Sequence, residues 1–187
     1  EKGHLEVCMH IVEKSDDKNP KTLSREITPL HLAAKNGHFD VCKHILDNVA
    51  VKNPAAVDGI TPLHRAAKDG HLDVCRLILK EVAVKNPEAV DRLTPLHFAA
   101  RDGHLEVCRL ILEQAAVDNP ATNDGITPLH RAAKGGHLDV CRLILKNAVD
   151  KNPAANDGLT PLHIAAKLGH FEILKLLVDE YGVDKSP

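Results

Sequence analysis

Residues 61–71 read Thr61-Pro62-Leu63-His64-Arg65-Ala66-Ala67-Lys68-Asp69-Gly70-His71, and nearly the same string returns along the chain at a fixed interval. Its opening tetrapeptide starts at Thr28, Thr61, Thr94, Thr127 and Thr160, each 33 residues after the last. A Gly-His pair closes every copy, at Gly37-His38, Gly70-His71, Gly103-His104, Gly136-His137 and Gly169-His170, and an apolar helical stretch follows. Self-similarity at a period of about 20–50 residues means stacked supersecondary units, each of which buries its apolar side only against its neighbours.

One unit can be read residue by residue. Asp58-Gly59 is a turn, and Thr61 is the residue before a helix whose first position is Pro62, where the missing N–H does no harm. On a helical wheel Leu63, Ala66, Ala67 and Gly70 share one sector, while Arg65, Lys68 and Asp69 fall opposite. Small residues on the buried sector let this helix approach its neighbours closely. Gly70 breaks the helix, His71 to Asp73 begins the next, and Val74, Cys75, Leu77, Ile78 and Leu79 supply that helix's core, giving an antiparallel helix pair.

The pattern Thr-Pro-Leu-His-x-Ala-Ala on a 33-residue period, with Gly-His before the second helix, resembles the ankyrin repeat over nearly the whole chain. The resemblance implies an all-α solenoid of helix-turn-helix units linked by β-hairpin or turn loops. It divides a single domain, 1–187, into a partial repeat at 1–24, full repeats at 25–57, 58–90, 91–123 and 124–156, and a last repeat at 157–187. One departure concerns the glycine that the family places after the second helix. Val49, Val82, Ala115 and Ala148 stand there, so the second helix is expected to end differently or run longer, with the following Asn-Pro as the stop. Between Pro20 and Thr28 there is one residue more than in later copies, which predicts a longer first hairpin around Ser24-Arg25-Glu26. The leading repeat lacks its first helix and the last helix, Ile173 to Val178, has no polar outer cap. The expectation is a segment of a longer array or of a larger protein.

Charge and cysteine placement narrow the class. The net charge is −2 and the basic residues do not run together, so neither nucleic acid nor an anionic membrane is the expected partner. Apolar runs are short and broken by charge, with no transmembrane span and no secretory signal, so a cytoplasmic chain is expected, with the nucleus open to it. Cys8, Cys42, Cys75, Cys108 and Cys141 occupy one register position. Equivalent helices stack roughly 8–10 Å apart, too far for disulfides, and the reading is of buried thiols.

Thirteen histidines invite a metal, yet the repeat absorbs eleven of them. His31, His64, His97, His130 and His163 complete the tetrapeptide, and the resemblance has them bond the threonine and the hairpin backbone. His4, His38, His71, His104, His137 and His170 follow the inter-helix glycine. His64 and His71 straddle a helix end and do not share one helix face as zinc ligands do. No nucleophile–base spacing, phosphate loop or carboxylate pair stands outside the repeat. No metal, no cofactor and no catalysis are expected. Asn53, Asn86, Asn119 and Asn152 match the loop asparagines that asparaginyl hydroxylases modify in the family, though proline here follows each one.

A surface remains. Segments 58–80 and 124–146 agree at 22 of 23 positions, but the residue after the tetrapeptide runs Leu32, Arg65, Phe98, Arg131, Ile164. Apolar residues with arginine make binding hot spots. With Lys68, Asp69, Arg101 and Asp102 beside it and Asp58, Asp91 and Asp124 at the hairpin tips, this stripe is the expected site. The resemblance implies a monomeric module that binds a protein partner through the concave face of hairpin tips and first helices. The alternatives are a structural spacer or elastic segment of a larger protein, or an engineered repeat scaffold.

Overall fold

The computed structural model describes residues 18–115 and 119–183. The expected partial leading repeat, with His4 and Cys8, lies largely outside them. Ten α-helices and no strand are found among the described residues, and they fall into five pairs. The pairs are α1 (Pro29–Lys35) with α2 (Phe39–Asn48), α3 (Pro62–Lys68) with α4 (Leu72–Glu81), and α5 (Pro95–Asp102) with α6 (Leu105–Ala115). They continue with α7 (Pro128–Gly135) and α8 (Leu138–Asn147), then α9 (Pro161–Leu168) and α10 (Phe171–Lys175), the last running on as a π-helical turn over Leu176–Glu180.

First helices pack on first helices and second on second, each against its immediate neighbours, so the molecule is two parallel layers of helices. The apolar sector of each first helix is sealed: Leu63, Ala66 and Ala67 are 0% exposed. Second helices bury Val74, Cys75, Ile78 and Leu79, whereas Leu77 is only half-covered. Cys42, Cys75, Cys108 and Cys141 are all free thiols in this core, and burial pushes each pKa up to about 12. They are inert packing residues.

Each first helix begins with a threonine in extended conformation, and no donor in its first turn is wasted. The Thr61 N–H donates to His64 Nδ1 (3.1 Å), Pro62 has none to offer, and the Leu63 N–H donates to Oδ1 of Asn53 (3.1 Å). The same asparagine bond recurs from Asn19, Asn86, Asn119 and Asn152 at 3.1–3.3 Å. The Asn-Pro read as a helix stop is therefore also the cap of the following helix, ten residues on, or eleven from Asn19, satisfying an amide that would otherwise lack a partner.

Second helices do end differently from the glycine pattern. Val49, Val82 and Ala148 cap them in extended conformation, at φ −115°, −112° and −69°, so no left-handed residue is needed. The ammonium groups of Lys52, Lys85 and Lys151 reach back to the carbonyls of Leu46, Leu79 and Leu145. A cation on the negative end of the helix does the work of the glycine cap.

The hairpins between repeats join into one ladder. Val57, Val90, Asn123 and Asn156 donate their N–H groups to the carbonyls of Arg25, Asp58, Asp91 and Asp124 at 2.9–3.2 Å. The first hairpin closes from Thr22 to Ile27 where the second closes from Ala56 to Ile60, which is the extra residue expected from its sequence. Gly59, Gly125 and Gly158 take φ of +75 to +80° at the tips, but Glu26 and Arg92 hold the same register position at φ +55° and +60° without being glycine. Both make an ion pair with a residue just upstream, Lys21 and Glu88 respectively.

Candidate interaction surface

Two histidines per repeat fix how the layers are held. His31 Nε2–H donates forward to the Ile60 carbonyl (3.0 Å), and His64, His97 and His130 do the same to Leu93, Ile126 and Leu159 at 3.0–3.1 Å. Since Nδ1 of each accepts a threonine N–H, the proton sits on Nε2. The Gly-His histidines reach backward: His71, His104 and His137 donate to the carbonyls of Lys35, Lys68 and Arg101 at 2.9–3.0 Å. Each also lies on the glycine of the preceding repeat. A Cβ on Gly70, whose φ is +75°, would stand 2.5 Å from Nδ1 of His104. That these rings bridge neighbouring repeats was not legible in one unit's sequence; the only signal was that glycine and histidine recur together.

Burial lowers the pKa of His31, His64, His97 and His130, with His64 and His97 brought down to about 4. The hydrogen bonds to the hairpin carbonyls pull the other way but are the weaker effect. These rings are neutral scaffold groups. Among the described residues no three of His, Cys, Asp and Glu gather into a metal-binding cluster.

The expected stripe lies on the side of the first helices away from the core. Leu32 is 52% exposed, while Arg65, Phe98, Arg131 and Ile164 are half-buried. Lys68, Asp69 and Asp102 are exposed and Arg101 partly so. Phe98 and its surroundings are brought together. Its ring stands edge-on to that of His64 in the preceding repeat, centroids 5.9 Å apart at 86°, and the Arg101 guanidinium lies 5.4 Å from its centroid. Arg101 in turn grips Asp102 through two bonds, Nε–Oδ1 at 2.9 Å and Nη2–Oδ2 at 2.7 Å, and that grip holds the Asp102 carboxyl below the usual carboxylate range. Burial, and then the charge of Arg101, lower the pKa of Arg131. Nε of Arg65 and Nε of Arg131 are buried and bond to nothing among the described residues.

The tip aspartates are exposed but already engaged. Asp58 accepts the Ile60 N–H on its carboxylate (3.0 Å), and the main-chain carbonyls of Asp58, Asp91 and Asp124 carry the hairpin ladder.

The family described as "Ankyrin repeats (3 copies)" matches residues 1–88, 48–122 and 96–187. No curated protein matches the chain. Among the described residues no helix is long and apolar enough to cross a membrane.

Proposed function

The chain belongs to the ankyrin-repeat family, whose members are generally protein–protein interaction modules, and from that premise we propose that it is a non-catalytic module binding a protein partner through the concave face formed by its first helices and hairpin tips. The observation that carries this reading is a division of labour within the repeat. Thr, His, Asn and Gly recur because each makes a bond or a close contact that holds a helix cap or a neighbouring repeat. The position after the tetrapeptide varies, with only Arg65 and Arg131 alike, and its side chains lie outside those bonds with partly open surface. Freed from the scaffold, Leu32, Arg65, Phe98, Arg131 and Ile164 supply the mixture of apolar surface and guanidinium groups from which hot spots are made. Lys68, Asp69, Arg101 and Asp102 flank them, and Asp58, Asp91 and Asp124 form the rim.

Affinity purification from a cell extract with the wild type and an Arg65→Ala/Phe98→Ala/Arg131→Ala variant tests the reading. Proteins captured by the wild type are expected to be lost from the variant while its circular dichroism is unchanged. Equal capture by both would refute the assignment of the site.

A further inference from the structure

The inner helix layer differs in charge from the rest of the molecule. Each repeat places a cation at one register position, Lys35 and its equivalents through Lys167, and Arg65 and Arg131 add two more. The layer thus carries seven of the chain's 24 Lys and Arg but, in Asp69 and Asp102, only two of its 26 Asp and Glu. A chain of net charge −2 therefore presents a cationic row along its first helices, bordered on the hairpin side by Asp58, Asp91 and Asp124. Adjacent surfaces of opposite sign orient a charged partner before contact.

The cations on this face are not equally available. Asp102 already neutralises Arg101. Arg65 and Arg131, one repeat to either side of Phe98, each keep a buried Nε that bonds to nothing among the described residues, and Arg131 sits under the repulsion of Arg101. Neither guanidinium is in an ion pair among the described residues, so each is left to a carboxylate that a partner brings. Between the two guanidinium groups lies the half-open ring of Phe98, its edge held by His64. The backbone beneath the cationic row is fixed as well, since the carbonyls of Lys35, Lys68 and Arg101 accept the Gly-His rings.

Building on the concave-face reading above, we infer that the partner is an acidic protein segment in which two carboxylates flank one apolar residue. The carboxylates meet Arg65 and Arg131, and the apolar side chain lies on Phe98. First helices two repeats apart are about 16–20 Å apart at roughly 8–10 Å per step, which an extended segment covers with about five or six residues at about 3.3 Å each. A nucleic acid fits less well. Leu32, Phe98 and Ile164 offer apolar contact where a phosphate backbone has none.

The test is selection of a random peptide display library on the wild type, with each recovered peptide then measured on an Arg65→Glu/Arg131→Glu variant that leaves Phe98 and its packing in place. Thermal melting of the variant confirms that it is folded. The inference expects recovered peptides to be enriched in Asp and Glu around a Leu, Ile, Met or Phe, to bind the variant at least about ten-fold more weakly, and to weaken with added salt. Peptides that lose binding to the variant but are neutral or basic would overturn the acidic partner and leave the concave site standing. Peptides that bind both proteins equally, or a library that yields none, would overturn both. Single-stranded or duplex DNA binding the wild type more tightly than the recovered peptides, and not binding the variant, would overturn the choice of a protein segment.

Discussion

At the scale of single residues, the scaffold rests on neutral histidines and bare glycines. His64 and His97 are neutral in the folded chain down to about pH 4, whereas an unfolded histidine takes up a proton near the ordinary value of 6.5. The unfolded state therefore binds more protons on acidification, so the stability these rings carry is complete above about pH 6.5 and is lost as the pH falls from there toward 4. Between about pH 7.5 and about pH 5 each of the two should give up about 2 kcal/mol. Thermal melting should show a clear fall in Tm over that interval, and a Tm that stays level would contradict the burial of neutral rings. Gly70 and Gly169 separate conformation from contact, because both are left-handed, at φ +75° and +73°, but only Gly70 has a histidine on it. Alanine at either position costs about 1–2 kcal/mol for the backbone. Gly70→Ala should cost clearly more than Gly169→Ala in chemical denaturation, since only the former must displace the ring of His104. Equal losses would mean that the ring yields freely.

Among the elements, the hairpins and helix ends show what the sequence can and cannot disclose. Arg92 stands where other tips have glycine, at φ +60°, and its ion pair with Glu88 is exposed. Arg92→Gly should stabilise the array by up to about 1 kcal/mol, because relief of the left-handed backbone outweighs a surface ion pair of about 0–1 kcal/mol. A lower denaturation midpoint for the variant would show that the pair matters more than the backbone. Helix starts, the buried faces and the longer first hairpin were legible from Thr-Pro, from the spacing of Leu63, Ala66 and Ala67, and from one extra residue before Thr28. Those features are local. The bonds from Asn53 to Leu63, from Lys85 to Leu79 and from His71 to Lys35 join residues 10, 6 and 36 apart. Nothing in the composition of one repeat specifies such partners; two of the three join neighbouring repeats, and the third, within one repeat, depends on where its second helix ends. The absent glycine after the second helix was visible, but the lysine that replaces its cap was not. Lys85→Met should therefore destabilise by about 0.5–1 kcal/mol, read as a shift in Tm, since methionine keeps the stem and removes the cation. An unchanged Tm would show that the ammonium contributes nothing to the cap.

For the whole molecule, a stack in which each repeat touches only its neighbours distributes stability over many equivalent contacts and leaves single surface side chains free to differ. The candidate stripe was legible for that reason: Leu32, Phe98 and Ile164 break a register position where Arg65 and Arg131 repeat, against a background that otherwise recurs. Its chemistry was not. The ring of His64 beneath Phe98, the grip of Arg101 on Asp102 and the unpartnered Nε groups of Arg65 and Arg131 depend on which repeats lie side by side. The edge contact makes Phe98→Ala more costly than an exposed site would be, at about 1–2 kcal/mol. His64→Ala should cost more still, because it leaves the Thr61 N–H and the Leu93 carbonyl without partners. The central claim is that recurring residues build the array and non-recurring ones bind. It is tested most directly by measuring, on the same samples, the Tm and the retained partner binding of Arg65→Ala/Phe98→Ala/Arg131→Ala and of His64→Ala. The account predicts that the triple variant loses binding and melts as a folded array, while His64→Ala melts lower and, below its own transition, still binds. A triple variant that keeps its partner, with a His64→Ala protein that melts like the wild type, would contradict it.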